Sequence, residues 1–435
     1  MKILLLNQAF YPDVVSTSQH AQDLARTLVA EGHEVTVVSS RRGYDDPTVQ
    51  FSSTEEWQGV RILRIGSSGM GKSARWRRAA DFGTFFASCF VRLCRLPRFD
   101  IVLSMTSPPL ISTLAAMFSQ WKGGRLILWV MDLNPDEAVA AKWLGERSPA
   151  TRILTACLRY SLRAADRIVV LDRFMKERIV RKGVGGGKVD VIPPWSHDGS
   201  IHYDAEGRRQ FRETHGLEGK FVVMYSGNHS PCHPLDTLLE AAVRLANHPQ
   251  IMFCFIGGGS EFKKVRTFAK NRNLPNILCL PYQPLEKLSA SLSAADLHTV
   301  VMGDPFIGIV HPCKIYNILA LGTPFLYIGP EESHIADILS LTGRIDMQDR
   351  LEARSSVRHG DVDGTIRCIV ETSKTARVRS EAQMQVAARF SEKRLSLEFV
   401  QLMASTRSSP IAHSEPSMAR SHMKTDMTPG HTKPR

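Results

Sequence analysis

"MKILLLNQAFYPDVVSTSQHAQDLARTLVAEGHEVTVVSS", residues 1–40, holds an apolar run, a helical pattern and a second apolar run, in that order. "KILLLN" and "EVTVVSS" are apolar on consecutive residues, as expected for parallel strands covered on both faces. Between them Ala21, Leu24, Ala25, Leu28 and Val29 step by three and four, the signature of one helix face. Ser16 or Thr17 can cap the start of that helix, and Gly32 can end it. Strand, helix and strand in this order point to an α/β architecture.

The same alternation continues outward. "DIVLSM", "RLILWV" and "RIVVLD" are further strands, and "FVVMYSG", "IMFCFIG", "ILCLPY", "DLHTVV" and "TPFLYIG" form a second series. The stretch between the series, 193–219, is polar, carries Pro and Gly, and serves as a linker with a lead-in helix. The expectation is two Rossmann-like, doubly wound domains, 1–195 and 196–375, facing each other. Ligands of such sheets bind at the carboxyl ends of the strands. After residue 404 the composition shifts to Ser, Thr, Pro, His and Met, and a disordered tail is expected over 404–435.

A formal charge of +12 suggests polyanionic partners: nucleic acid, an anionic membrane surface or a phosphorylated substrate. The eight cysteines are scattered with no Cys-x-x-Cys pair, which fits a reducing, cytoplasmic compartment and no metal cage. The first apolar run is too short for a signal peptide, and no segment approaches the ~20 apolar residues of a membrane span.

Several segments, weak singly, are specific in their order: "LWVMDLNPDEA", "VDVIPPW", "YSGNHSPCHPLDTLLEAA", "FIGGGSEFKKV", "LPYQPLEKLSASLSAADL" and "HPCKIYNILALGTP". With the opening forty residues they make the chain resemble the family-4 glycosyltransferases of GT-B fold. Within that family the resemblance is to the branch serving bacterial O-antigen, exopolysaccharide and colanic-acid assembly, and it covers about residues 1–400. The resemblance implies a retaining transferase that takes a nucleotide-sugar in its second domain and passes a hexosyl or N-acetylhexosaminyl group to a saccharide acceptor. It needs neither metal nor other cofactor, and it binds no nucleic acid. It also implies a last helix, near 376–403, that crosses back to the first domain.

In "HPCKIYNILALGTP" (311–324), Pro312 suits the first turn of a helix whose free N–H groups would meet a diphosphate. Lys314 adds a full charge. The family usually places two glutamates here, the second on the nucleotide ribose; this chain has Ile309 and Asn317. Asn228 and His233 stand where relatives carry an arginine and a lysine on the donor phosphates. Gly257, Gly258 and Gly259 follow a strand, a geometry for close backbone approach to a base or phosphate. The loop 11–19, with Ser16, Thr17 and Ser18, resembles the one facing the acceptor and the donor phosphates, but Val14–Ser18 lack its glycines. Asp132 ends "LILWVMD" and can position the acceptor hydroxyl or take its proton. The histidine common in the acceptor domain is absent around Ser107 and Pro108.

Other motifs compete. "GSSGMGKS" (66–73) fits a phosphate loop, which would make the chain a nucleotidase using Lys72. However, "VRILRIG" before it carries Arg61 and Arg64, and looks like an edge strand. A nucleotide-sugar epimerase on the same fold is a second alternative. Asp361 and Asp363 in "GDVDG" are expected to cap a helix. Residues 72–98 hold seven basic residues against one acid, with Phe82, Phe85, Phe86, Cys89, Phe90 and Leu93 on one helical face. Such a helix can lie on an anionic membrane, where a polyprenyl-linked acceptor on the inner leaflet would be met by a peripheral enzyme.

Overall fold

The consecutive apolar runs become strands because helices cover both faces of each sheet; Ile3, Leu4, Leu5 and Leu6 are all fully buried. The computed structural model describes residues 1–44, 46, 48–66, 75–196, 201–345, 355–375 and 379–406. Strands β1 (Lys2–Leu6), β2 (Glu34–Ser40), β3 (Thr54–Trp57), β4 (Val60–Ile65), β5 (Ile101–Ser104), β6 (Arg125–Val130), β7 (Arg167–Val170) and β8 (Val189–Val191) form the first sheet. Its order is β3-β4-β2-β1-β5-β6-β7-β8, parallel except for β3. Strands β9 (Phe221–Asn228), β10 (Ile251–Gly258), β11 (Ile277–Leu280), β12 (Leu297–Val301), β13 (Phe325–Ile328) and β14 (Ser356–Val357) form a second, parallel sheet in the order β11-β10-β9-β12-β13-β14.

In chain order the helices of the first domain are α1 (Ser16–Ala30), α2 (Arg75–Cys94), α3 (Ile111–Lys122), α4 (Asp136–Ala140), α5 (Pro149–Ala164) and α6 (Arg173–Arg181). Those of the second are α7 (Ala205–Thr214), α8 (Asp236–Arg244), α9 (Phe262–Asn271), α10 (Leu288–Ser293), α11 (Lys314–Leu321), α12 (His334–Ile345) and α13 (Val362–Lys374). The chain then runs through α14 (Glu381–Ala388) and α15 (Glu392–Thr406). From β1 the chain moves one way to β2, but from β4 onward it moves the other way across the sheet. Right-handed crossovers therefore put α1 on one face and α2, α3 and α5 on the opposite one. The order reverses at β1/β5 in one sheet and at β9/β12 in the other, so each carboxyl edge opens a crevice there.

Three expectations are corrected. β4 is not the edge strand: β3 pairs with it antiparallel and takes the edge. Arg64 belongs to that addition, since its side chain is fully buried and donates to Glu55 of β3 at 2.8 Å and to the Tyr11 carbonyl at 2.6 Å. The single helix expected over 376–403 is two. α14 packs on α11 and α12 of the second domain, while α15 packs on α1 of the first, so the chain must break between them. There the returning chain meets the outgoing linker, with Ser196 N donating to the Phe390 carbonyl at 2.9 Å. α15 does reach the first domain: Phe399 lies 4.8 Å from the Trp129 ring, and Glu392 pairs with Arg26 at 2.9 Å. Finally, α15 runs to Thr406, beyond the expected tail boundary; residues 407–435 lie outside the described residues.

Gly32 ends α1 as expected, with φ +78°, and the lead-in helix is α7, packed on α10. One hydrophobic cluster joins Trp129, Trp195 and Phe399 to Phe306, Ile309 and Ile315 of the second domain. The two lobes share a core.

Candidate active site

The loop after β1 comes first. Val15 occupies the N-cap of α1 and neither Ser16 nor Thr17 supplies a side-chain cap, which corrects the expected capping. The chain is instead tied by Gln19 Nε2 donating to the Val14 carbonyl and Gln22 Nε2 donating to Asp13 O and Ser18 Oγ. Ser18 is thereby buried, whereas Ser16 is exposed and its hydroxyl hydrogen-bonds the Cys313 thiol of the second domain.

Asp132 follows β6, its backbone N donating to Thr106 Oγ1 at 3.3 Å. Burial, and then the charge of Glu137, push its carboxyl up to about 7. Glu137, in the first turn of α4, is raised as well, again mainly by burial, although Asn134 Nδ2 donates to it at 3.0 Å. Two neighbouring carboxyls in a dry site cannot both ionise cheaply, so they titrate as a pair. Opposite them, Cys232 Sγ donates to Glu137 Oε1 at 3.9 Å. Burial raises both the Cys232 and Cys313 thiols to about 12, with Asp132 adding to each shift, so both stay neutral. Leu133 N donates to the Ile309 carbonyl at 2.9 Å, a backbone bond between the lobes.

On the second domain α11 begins at Lys314 with Cys313 at its N-cap, so Pro312 precedes the helix rather than opening its first turn. Asn317 sits half-buried in that helix. Lys314 Nζ is buried, has no hydrogen-bond partner among the described residues, and lies 3.3 Å from the centroid of the Tyr225 ring. Loss of hydration drives its pKa well below the usual lysine range.

The β9 end lies beside it. Asn228 is exposed and its carbonyl accepts from Tyr225 Oη at 2.9 Å. His233 Nδ1 donates to the Val301 carbonyl at 2.8 Å; burial, then the Lys314 charge, lower its pKa to about 3. A neutral His233 leaves Nε2 as a lone-pair acceptor, suited to a hydroxyl rather than to an anionic phosphate oxygen. His229, which the sequence did not single out, is likewise held neutral, lowered to about 4 by burial and by Lys314.

The glycine run serves the protein's own backbone. A Cβ on Gly257 (φ +138°) would collide with the Gly227 carbonyl, and one on Gly259 (φ +109°) with the His229 carbonyl. A Cβ on Gly258 would press on the Tyr282 ring. The close approach these residues permit is thus between β9 and β10, beneath the crevice.

One further cluster joins the lobes. Asp172 Oδ1 caps α6 through Met175 N, and Oδ2 accepts from His311 Nδ1 at 2.8 Å. His311 Nε2 meets Tyr316 Oη at 2.7 Å, and His334 stacks on His311 with centroids 3.7 Å apart. Burial alone would raise Asp172, but the hydrogen bond and charge of His311, then His334, bring it to about 2. Among the described residues this is the one group with three metal-ligating atoms within 4.8 Å. Its rings lie nearly face to face, at 21°, so both cannot aim lone pairs at one ion without unstacking.

Apart from Gly66, the octet 66–73, with Lys72, lies outside the described residues. Asp361 caps α13 through Gly364 N, as expected; Asp363 instead pairs with Arg244 at 2.5 Å. The single apolar face expected on α2 is divided: Phe85, Cys89 and Leu93 are buried, whereas Phe82 and Phe90 are exposed. No helix among the described residues is long and apolar enough to cross a membrane.

Glu137, Cys232 and Cys313 escaped the sequence reading, although Asp132 and Glu137 flank an Asn-Pro turn, a spacing that can bring two carboxyls together.

Comparison with known proteins agrees with this geometry. Residues 17–195 match the glycosyl transferase 4-like domain, and residues 207–326 match glycosyl transferases group 1. The chain is 26% identical over 343 residues to the colanic acid biosynthesis glycosyl transferase WcaI of Escherichia coli (strain K12), covering 74% of this chain and 82% of that protein. Among solved structures it resembles sucrose-phosphate synthase from Thermosynechococcus elongatus, with TM-score 0.70 and 15% identity over 93% of this chain and 98% of that one. It also resembles Anabaena HepE in complex with UDP and glucose, with TM-score 0.67 and 16% identity over 93% of this chain and 100% of that one.

Proposed function

Because the chain belongs to the family-4 glycosyltransferases of GT-B fold, we propose that it moves a sugar from a nucleotide-sugar seated on its second domain to a saccharide acceptor held against its first. The observation that carries this is Lys314. A buried ammonium without a partner is costly, and it stands in the first turn of a helix whose free N–H groups share its polarity. A diphosphate between the lobes would satisfy both. No metal is needed to neutralise the leaving group, so chelators should leave the rate unchanged.

The reaction proceeds with retention. The bond between C1 of the sugar and the diphosphate oxygen breaks while the acceptor oxygen bonds C1 on the same face, and the acceptor proton passes to a phosphate oxygen. Asp132 and Glu137 hold the acceptor hydroxyl, and the shared core of the lobes keeps water out. Asn317 reaches the nucleotide ribose, while His233 and Asn228 meet donor hydroxyls. The likeness to a colanic acid biosynthesis glycosyl transferase supports a role in polysaccharide biosynthesis. We extend that reading to a cell-surface polysaccharide, built on a polyprenyl-linked acceptor at the cytoplasmic leaflet.

The test is a thermal-shift panel of UDP, GDP, ADP and dTDP sugars on the wild type and on Lys314→Met, followed by NMR of the anomeric proton in the product. One nucleotide class should stabilise the wild type and leave Lys314→Met unmoved, and the linkage should keep the donor configuration. Stabilisation that survives Lys314→Met but is lost in Lys72→Ala overturns the assignment. An isomer formed from donor alone, or triphosphate hydrolysis without acceptor, would replace it with an epimerase or a nucleotidase.

A further inference from the structure

The layer formed by α2, α3 and α5 differs in charge from the opposite face of the first sheet, which α1 and α15 cover. α2 packs on α3 and α3 on α5, along one face of the sheet. The three helices carry four arginines, one lysine and three arginines in turn, against a single acid, Asp81. On the opposite face, α1 and α15 carry three basic and three acidic residues between them. Charge is segregated onto one side.

That side also exposes large apolar groups which an isolated soluble surface has no use for. Phe90 is 46% exposed and Val91 49% on α2; Met117 is 44% and Trp121 63% exposed, one turn apart on α3; and Ile153 is 64% exposed on α5. Lys122 lies 4.4 Å from the Trp121 ring, a cation set at the base of a largely exposed indole. Between α3 and α5 runs an open groove of about 720 Å³, whose walls include Gln120, Arg152, Arg159, Tyr160 and Arg163, with Glu146 the one acid among them. Among the described residues no ion pair is formed by Arg152, Arg159 or Arg163, which leaves three guanidinium groups around one concavity.

We propose that this three-helix face docks the enzyme on an anionic phospholipid bilayer. Trp121, Phe90, Met117 and Ile153 would enter the headgroup boundary, and the α5 groove would receive lipid phosphates. Indole and phenyl rings favour that boundary, arginines pair with phosphate, and the two together match what a negatively charged leaflet offers. The charge segregation selects this occupant over a second copy of the chain, since two such basic faces repel. It also extends the expectation for residues 72–98, because α3 and α5 add the exposed Met117, Trp121 and Ile153 to it. α2 and α3 both start at the carboxyl edge of the sheet, so a face lying flat on the leaflet holds the crevice along the membrane. That last step rests on a lipid-linked acceptor; docking itself does not.

The experiment is flotation of the full chain with vesicles of phosphatidylcholine alone or with about 30% phosphatidylglycerol, at about 0.1 M and about 0.5 M NaCl. Binding should require the anionic lipid and fall at least about tenfold at the higher salt. It should fall comparably in Arg159→Glu/Arg163→Glu and several-fold in Trp121→Ala, with transfer to a water-soluble acceptor unchanged in both variants. Circular dichroism confirms that the variants are folded. Equal binding to neutral vesicles, or binding indifferent to the α5 charge reversal, overturns the proposal. So does a concentration-dependent dimer in sedimentation that Trp121→Ala abolishes, because the face would then be a self-interface. Failure of docking leaves the transferase assignment intact, since the donor panel does not involve these residues.

Discussion

Lys314 pays a stability cost for its position, and that cost makes its role measurable. Its ammonium is buried without a hydrogen-bond partner among the described residues and its pKa is driven far down. Methionine keeps the stem and removes the charge. Lys314→Met should therefore raise the melting temperature of the free protein while lowering transferase turnover by on the order of 10²–10³. A variant that is less stable yet fully active would show that the charge is structural. Asp132 gives the pH counterpart. Its folded pKa is raised to about 7 from the ~3.9 of an unfolded aspartate. Between those values the folded chain holds the extra proton, so its contribution to stability falls as pH rises through that window. Asp132→Asn should remove this slope: relative to wild type, the urea midpoint should shift upward more at pH ~8 than at pH ~5. The difference between the two proteins is the readout, because neutral histidines such as His229 and His233 titrate in the opposite sense below their usual range.

Elements are where the sequence was most legible. Every apolar run singled out as a strand is one, since consecutive Val, Ile and Leu have few alternatives in a sheet covered on both faces. What stayed hidden was set by tertiary partners. β3, "TEEW", has no apolar pattern and forms only because β4 offers it an edge. The start of α11 slipped two residues past Pro312, and α1 dispensed with the side-chain cap that Ser16 or Thr17 could have given. The glycine run was legible as a close approach, but not what approaches: that depends on Gly227 and His229, thirty residues earlier in the chain. Gly257→Ala tests this directly. Its φ of +138° disfavours any Cβ, and the new methyl would meet the Gly227 carbonyl. Destabilisation of at least about 2 kcal/mol is expected, measured by chemical denaturation, with donor binding weakened only through loss of folded protein. A folded Gly257→Ala protein that loses only donor affinity would instead place the ligand against that backbone.

At the scale of the molecule the site is a product of closure, which explains why half of it was invisible in the sequence. Asp132 could be found at a strand end, but Glu137 gains meaning from Cys232, and Ser16 from Cys313, residues that only the packed lobes bring together. The same holds for Asp172 and His311, 139 residues apart in the chain and hydrogen-bonded at 2.8 Å. Asp172 is held at about 2, below its unfolded value, so this pair contributes stability above pH ~4 that is lost as pH falls toward 2. Removing one partner is worse than having neither: His311→Ala leaves a buried carboxylate whose one remaining hydrogen bond is from the Met175 N–H, with His334 Nδ1 at 3.8 Å, a loss of about 3–5 kcal/mol. Because a single hydrophobic cluster spans both lobes, the wild type should melt in one calorimetric transition. His311→Ala should lower that transition, and its loss of stability on acidification below pH ~4 should be shallower than in the wild type. Asp172→Asn/His311→Ala should recover part of the deficit, since the stranded charge is gone. An unchanged midpoint in His311→Ala, or no recovery in the double variant, would mean that other contacts join the lobes and that the Asp172–His311 hydrogen bond adds nothing.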